Sequence, residues 1–316
     1  MATFCLGHLD DGSLRELNFM ASSSKPMNSE LVPAAGAAGP IRSPDEDRHF
    51  FASAGHALYG VLRPGTRPNA PLIMFCNSFA ADQDAKWRAE VIGAREATAR
   101  GFTTFSYHPR GHGDSSGNFA SITFDDLVDD ALNAAQHALE RSGANRLICV
   151  GIRFGALVAA ELIRRRGDVS ALALWEPIHA ARGYFRELMR QNLYREMAQR
   201  ARPSVNVDEM MERLLPATSI TVPGFQLYGR FSSSAIGKEL MQSLETWRGP
   251  TLLAQFRKRT ELTRENLRLR RMLQRRGIRV AAVVVREKPI YNGRDDPWLS
   301  AGQLIESTSE WFDGLG

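Results

Sequence analysis

Apolar and polar residues follow two different rhythms along this chain, and the change of rhythm marks its elements. Positions 48–53 and 56–62 alternate with a period of two on either side of Ala54-Gly55, which predicts an antiparallel pair of strands. Short continuous apolar runs at 71–77, 102–108, 147–151, 169–175, 251–256 and 279–285 predict buried strands. Amphipathic stretches separate them, at 87–100 closed by Gly101, at 124–142, from about 155 to near Gly167, at 261–276 and at 301–312, and these predict helices. Two antiparallel strands followed by alternating strands and helices define an α/β fold. The expected architecture is an open, mostly parallel eight-stranded sheet with helices on both faces.

Two stretches break the alternation. Residues 1–46 read as an arm and linker, with a small hairpin at 2–20 around Asp10-Asp11-Gly12 and a Ser-, Ala- and Pro-rich run after it. Residues 178–249 read as a helical cap inserted into a core made of 47–177 and 250–316. The cap opens with a long amphipathic helix at 182–201, in which Tyr184, Phe185, Leu188 and Met189 recur at helical spacing and form its packed face.

Composition narrows the class without naming a function. The 316 residues are 43% hydrophobic and 24% charged, the balance of an ordinary soluble globular protein. The net charge of +5 raises the question of nucleic acid. The basic residues concentrate only at 257–276, with no aromatic platform beside them, so a solvated helix face is expected and no nucleic-acid partner. Three cysteines, Cys5, Cys76 and Cys149, lack metal-ligand spacing; Cys76 and Cys149 fall in apolar strands, as buried thiols do in a reducing compartment. No metal and no cofactor are expected. With no apolar run near membrane length and no secretion-signal layout, a cytoplasmic protein without a membrane partner is expected. Homo-oligomerisation is left open.

The chemistry-bearing stretch is Gly151-Ile152-Arg153-Phe154-Gly155, between a buried strand and a helix. It has the form G-x-S-x-G of a nucleophile elbow, whose flanking glycines make room for a sharp strand-to-helix turn, but Arg153 stands where the serine belongs. With the turn His108-Pro109-Arg110-Gly111-His112-Gly113-Asp114-Ser115, the strand end Leu174-Trp175-Glu176-Pro177 and a cap beginning Gly183-Tyr184-Phe185-Arg186-Glu187-Leu188, this chain resembles the α/β-hydrolase superfamily. Within it the chain is similar to serine-aminopeptidase-like acyl hydrolases, including those associated with the exosortase system. The resemblance covers roughly residues 48–314. It implies an oxyanion hole from the backbone N–H groups of Phe79 and Phe154, with Ser78 in the same loop, and a cap lining an acyl pocket.

The resemblance also implies a serine, a carboxylate and a late histidine, in that chain order. Arg153 stays protonated at any working pH and cannot be the nucleophile. The last histidine is His179, Arg286-Glu287-Lys288 occupies the loop after the last strand, and Arg257-Lys258-Arg259 follows Phe256, where the acid is common. The triad is therefore expected to be degenerate. Arg153 could clamp a substrate carboxylate, phosphate or enolate at the helix N-terminus, or it could be neutralised by Glu176 at the end of the neighbouring strand. His108 could act as a general base with Ser78 or Tyr107, or hydrogen-bond its own turn; His112 and Asp114 read as turn formers. Cys76 is not expected to react, because an apolar strand raises a thiol pKa.

The expected function is handling of a small acyl or carboxylate-bearing metabolite by non-covalent, triad-independent chemistry: a lyase-, cyclase- or isomerase-type step, or direct attack by water. Arg153, His108 and Ser78 are the catalytic candidates, and Phe79, Phe154, Glu176 and Tyr184 the binding candidates. The alternatives are a catalytically inactive pseudo-hydrolase that binds or scaffolds, and an acyl hydrolase or thioesterase with an unidentified nucleophile.

Overall fold

The structure, a computed structural model, describes residues 46–79, 81–199, 206–222, 225–257, 259–286 and 297–315. The expected hairpin at 2–20 and nearly all of the expected arm lie outside these residues. Strands β1 (Asp47–Ser53) and β2 (His56–Arg63) pair antiparallel with Ser53 opposite His56. Ala54 and Gly55 turn between them at φ +45° and +81°, the conformation of a two-residue hairpin turn. Strand β3 (Leu72–Cys76) is wholly buried and leads to helix α1 (Ala81–Ala99), then β4 (Thr104–Tyr107) and α2 (Phe124–Ser142). Helix α2 has the predicted bounds because its ends are coded locally. Thr123 and Asp126 form a capping box, and Gly143 closes the helix at φ +71°. Next come β5 (Leu147–Ile152), α3 (Gly155–Arg166) and β6 (Val169–Trp175).

The inserted region holds α4 (Ala181–Gln199), α5 (Val207–Arg213), β7 (Ser219–Val222), β8 (Phe225–Tyr228), α6 (Gly229–Ala235) and α7 (Leu240–Ser243). It is not helical throughout, since β7 and β8 pair antiparallel as a separate two-stranded sheet. The core resumes with β9 (Thr251–Phe256), α8 (Arg264–Arg275), β10 (Val280–Val285) and α9 (Pro297–Asp313). Helix α1 starts six residues ahead of the expected Trp87. Its polar first turn reads as loop in the sequence, and it is held by an ion pair between Lys86 and Asp82 at 2.5 Å.

The large sheet runs β1-β2-β4-β3-β5-β6-β9-β10, antiparallel at the β1 and β2 end and parallel from β4 onward. Helices α1 and α9 cover one face, with Phe75, Ile148, Trp175 and Phe312 in the core there. Helices α2, α3 and α8 cover the other, over Met74, Cys149, Leu172 and Leu269. Strand order reverses at β3, whose neighbours are β4 and β5. The crevice beyond the carboxyl ends of β3 and β5 is therefore the switch point at which an open α/β sheet binds ligands.

His49 on β1 meets His137 on α2 at 2.8 Å between Nε2 atoms, so one ring donates and the other accepts. Burial, then the neighbouring His49, lowers the pKa of His137 below its ordinary 6.5. Burial also lowers His108, His112 and His179. Groups kept neutral in the folded chain take up protons on unfolding, so stability is full above the unfolded value and falls as pH drops through it. A urea midpoint lower at about pH 5.5 than at about pH 7.5 is expected, with a smaller drop in His137→Gln.

Candidate functional site

The switch-point crevice is built around the bend between β5 and α3. Arg153 takes φ +50°, a strained value for a residue with a side chain. A Cβ on Gly155 would stand 2.1 Å from Cys76 O and 2.4 Å from Asn77 O, and one on Gly151 2.7 Å from Ala156 Cα. The two glycines are therefore fixed by backbone crowding. The Arg153 N–H donates to Trp175 O at 2.9 Å, and its carbonyl accepts from Ala156 and Ile178 N–H, both at 3.1 Å.

The Arg153 side chain turns into an ion-pair cluster. Its Nε donates to Asp82 Oδ2 at 3.0 Å, and Nη2 lies 3.3 and 3.4 Å from the carboxylate oxygens of Glu187 on α4. Lys86 donates to the other Asp82 oxygen, and the guanidinium carbon sits 5.9 Å from the centre of the Tyr184 ring. Only 8% of Arg153 is exposed. Burial opposes its charge, but Asp82 and Glu187 outweigh burial and raise its pKa. Asp82 is lowered: burial would raise it, and Lys86 and Arg153 together more than offset that.

Of the two readings open for Arg153, anion clamp or neutralisation by Glu176, the structure brings Asp82 and Glu187 to ion-pair distance, while Glu176 acts on it through its charge. Glu176 directly follows β6 at φ +48°, donates its N–H to Ala254 O, and accepts the Phe256 N–H on Oε1 at 2.6 Å. The left-handed backbone turns the carboxyl toward β9, while Asp82 and Glu187 reach the guanidinium from α1 and the cap. Burial raises the pKa of Glu176 against the Phe256 N–H and the charges of Arg153 and Lys86. Sequence reasoning missed Asp82, Lys86 and Glu187. The available signals were the i,i+4 pair Asp82–Lys86 and the position of Glu187 one turn after Tyr184.

The remaining candidates divide among different cavities. His108 is bound into its own turn. Its Nδ1 accepts the Asp114 N–H at 3.1 Å, its carbonyl accepts the Ser115 hydroxyl at 2.6 Å, and a Cβ on Gly113 would lie 2.3 Å from Nδ1. It does not line the Arg153 pocket, so the structure does not place it as a base beside Arg153. Ser78 borders a small cavity of about 20 Å³ with Phe79 and Phe154, and its buried Oγ has no partner among the described residues. The Phe79 ring stacks on Phe231 at 4.5 Å and lies 5.1 Å from Phe154. The N–H groups of Phe79 and Phe154 meet no acceptor among the described residues, whereas the Phe79 carbonyl takes the Tyr184 hydroxyl at 2.8 Å. Cys76 is buried and its thiol is pushed up to about 12, first by burial and then by Glu90.

A pocket of about 490 Å³ opens beside this cluster, lined by Arg153, Glu176, Tyr184 and Glu187 and closed by His179, Glu265 and Asn266. His179 Nε2 meets Asn266 Oδ1 at 2.8 Å, and Asn266 Nδ2 donates to Gln255 Oε1 at 2.7 Å, so the far wall is a fixed polar chain. Glu176, Glu187 and Glu265 line this pocket with Arg153, whose guanidinium Asp82 and Glu187 already hold. Among the described residues no three His, Cys, Asp or Glu side chains converge as metal ligands, and no helix is long and apolar enough to cross a membrane.

The sheet order and the strained bend after β5 are those of the α/β-hydrolase fold, which the similar solved structures share. Residues 88–229 match the family described as serine aminopeptidase, S33. The structure is similar to Est1E from Butyrivibrio proteoclasticus with ferulic acid bound, at 14% identity and TM-score 0.62, over 84% of this chain and 98% of that one. It is also similar to mouse alpha/beta hydrolase domain-containing protein 10 (18%, 0.57, 85% and 100%) and to a haloalkane dehalogenase loop variant from Bradyrhizobium elkanii (17%, 0.54, 86% and 97%). No curated protein matches by sequence.

Proposed function

We propose that this protein is a non-acylating α/β hydrolase relative that binds a small polar metabolite in the pocket beside Arg153, with the elbow serving as an anchor for the cap. The reading is carried by the Arg153 guanidinium, which is tied to Asp82 on α1 and Glu187 on α4 at the place where the fold presents its nucleophile. A guanidinium cannot attack a carbonyl, and no histidine follows His179 to activate a hydroxyl. The glutamates on the wall suit a ligand rich in hydrogen-bond donors, with an amine or hydroxyls, better than a free anion.

A second reading keeps catalysis and is favoured by Glu176. Its strained backbone, raised pKa and place in the pocket are those of a general acid–base for a lyase- or isomerase-type step without a covalent intermediate.

Intact-mass measurement after a serine-directed fluorophosphonate is expected to give unmodified protein, and a stoichiometric adduct defeats both readings. In a thermal-shift screen of small amines, polyols and carboxylates, donor-rich compounds are expected to stabilise the protein. Gly183→Trp, at a pocket position with open space around it, is expected to cancel that shift. No shift from any compound would overturn the binding site. Under the second reading Glu176→Gln removes turnover and spares binding.

A further inference from the structure

A second cavity, of about 320 Å³, lies between α1 and the antiparallel end of the sheet and shares no lining residue with the Arg153 pocket. Tyr59, Val61, Trp87 and Val91 give it an apolar and aromatic wall, with Trp87 55% exposed. Glu90 lines it from α1 and is only 3% exposed. Its Oε1, like the Asn77 Oδ1 nearby in the lining, has no partner among the described residues. Two such orphaned acceptors in one cavity wall are costly unless a ligand or a proton supplies the missing bonds.

The charge of this cavity is cationic. The Glu46 carboxylate is held by Arg48 at 2.7 Å, Arg63 at 3.0 Å and Arg95 at 2.9 Å. Its pKa falls to about 2, because the three arginines outweigh the opposing effect of burial. One carboxylate among three guanidiniums leaves two positive charges in excess, and Asp114 at the wall offsets one of them. Arg95 gives only Nε and Arg48 only Nη2 to Glu46, so further N–H groups on both have no acceptor among the described residues. His108 Nδ1 already accepts a backbone N–H, which leaves Nε2 as the protonated nitrogen of the neutral ring. The cavity is therefore rich in donors, with Glu46 showing that its arginines take a carboxylate.

We propose that this cavity is a binding site for a small aromatic monocarboxylate, its carboxylate held by Arg48 and Arg95 and its ring laid against Tyr59, Val91 and Trp87. The site is independent of the elbow pocket and of the function proposed for it. Glu90 serves it as a neutral carboxyl, with an O–H to donate below its pKa. Burial pushes that pKa up to about 8, against the Ser78 N–H and the charge of Lys86. The groups around Glu90 and its cavity are Lys86 and Arg95 on α1, Asn77 and Ser78 after β3, Cys76 on β3, Tyr107 on β4 with His108 and Asp114 after it, Arg63 on β2, Arg48 on β1 and Glu46 before it. Once ionised, Glu90 repels a bound carboxylate, so affinity is held at low pH and lost as pH rises through about 8.

Calorimetric titration of the full chain with benzoate, benzamide and benzylamine tests this. Benzoate is expected to bind at about pH 7 and to weaken about tenfold or more by about pH 9.5, with benzamide and benzylamine much weaker. Arg95→Gln is expected to weaken benzoate about tenfold, and Trp87→Ala, an exposed change that spares the fold, severalfold. Glu90→Gln is expected to bind benzoate with most of that pH dependence lost, the remainder belonging to Lys86, whose pKa burial lowers to about 8. The proposal is overturned if benzoate gives no heat, or if benzamide or benzylamine binds as tightly. It is also overturned if Glu90→Gln keeps the full pH dependence, or if Arg95→Gln and Trp87→Ala both fold and bind as the parent does.

Discussion

Replacing Arg153 with alanine is expected to lower stability by about 3 kcal/mol, the lower part of the range for breaking a buried ion pair. Asp82, with 11% of its side chain exposed, would lose the Nε donor and keep Lys86. Glu187, with 35% of its side chain exposed, can rehydrate, so most of the loss falls on Asp82. The backbone strain at φ +50° is not relieved by alanine, which has the same Cβ. Urea unfolding of Arg153→Ala, Asp82→Asn and the double variant reads the coupling directly. Strict additivity would show that Arg153 and Asp82 do not stabilise the fold as a pair. Arg153→Ser restores the sequence form of an elbow and is expected to stay unlabelled by fluorophosphonate, since no histidine follows to activate the hydroxyl.

Asp130→Ala is expected to be more damaging, at about 4 kcal/mol. Asp130 is fully buried and gathers the Arg110 N–H at 2.8 Å, the Arg110 guanidinium at 2.7 to 3.1 Å and the Ser53 hydroxyl at 2.6 Å. It binds the 108–115 turn to α2 and to β1. Removing it leaves Arg110, 7% exposed, with Asp126 at 2.9 Å as its remaining carboxylate. Asp130→Asn keeps the shape and loses the charge, so it should fall between the parent and the alanine variant. A loss below about 1 kcal/mol for Asp130→Ala would mean that the turn is held by its glycines alone.

The sheet was legible because each buried strand is a continuous apolar run, and β6 and β9 start and stop where those runs do. The elbow was legible because Gly151 and Gly155 are required by crowding that any such bend creates. The start of α1 was not, because Asp82 and Lys86 are polar in its first two turns and Asp82 is held by Arg153, 71 residues away in the chain. The strands β7 and β8 were also missed, since each is four residues long and too short to declare a period.

By itself the sequence determined the strand–helix alternation, the bend at Arg153 and the lack of any histidine beyond His179. These rest on local patterning, backbone crowding and residue identity, which need no partner. The tertiary structure decided which carboxylates hold Arg153, that Glu176 turns instead to Phe256, and that Glu46 lies among three arginines. Ion pairing at these places is set by side chains that converge from separate elements, and spacing along a chain carries no record of which of several carboxylates will arrive.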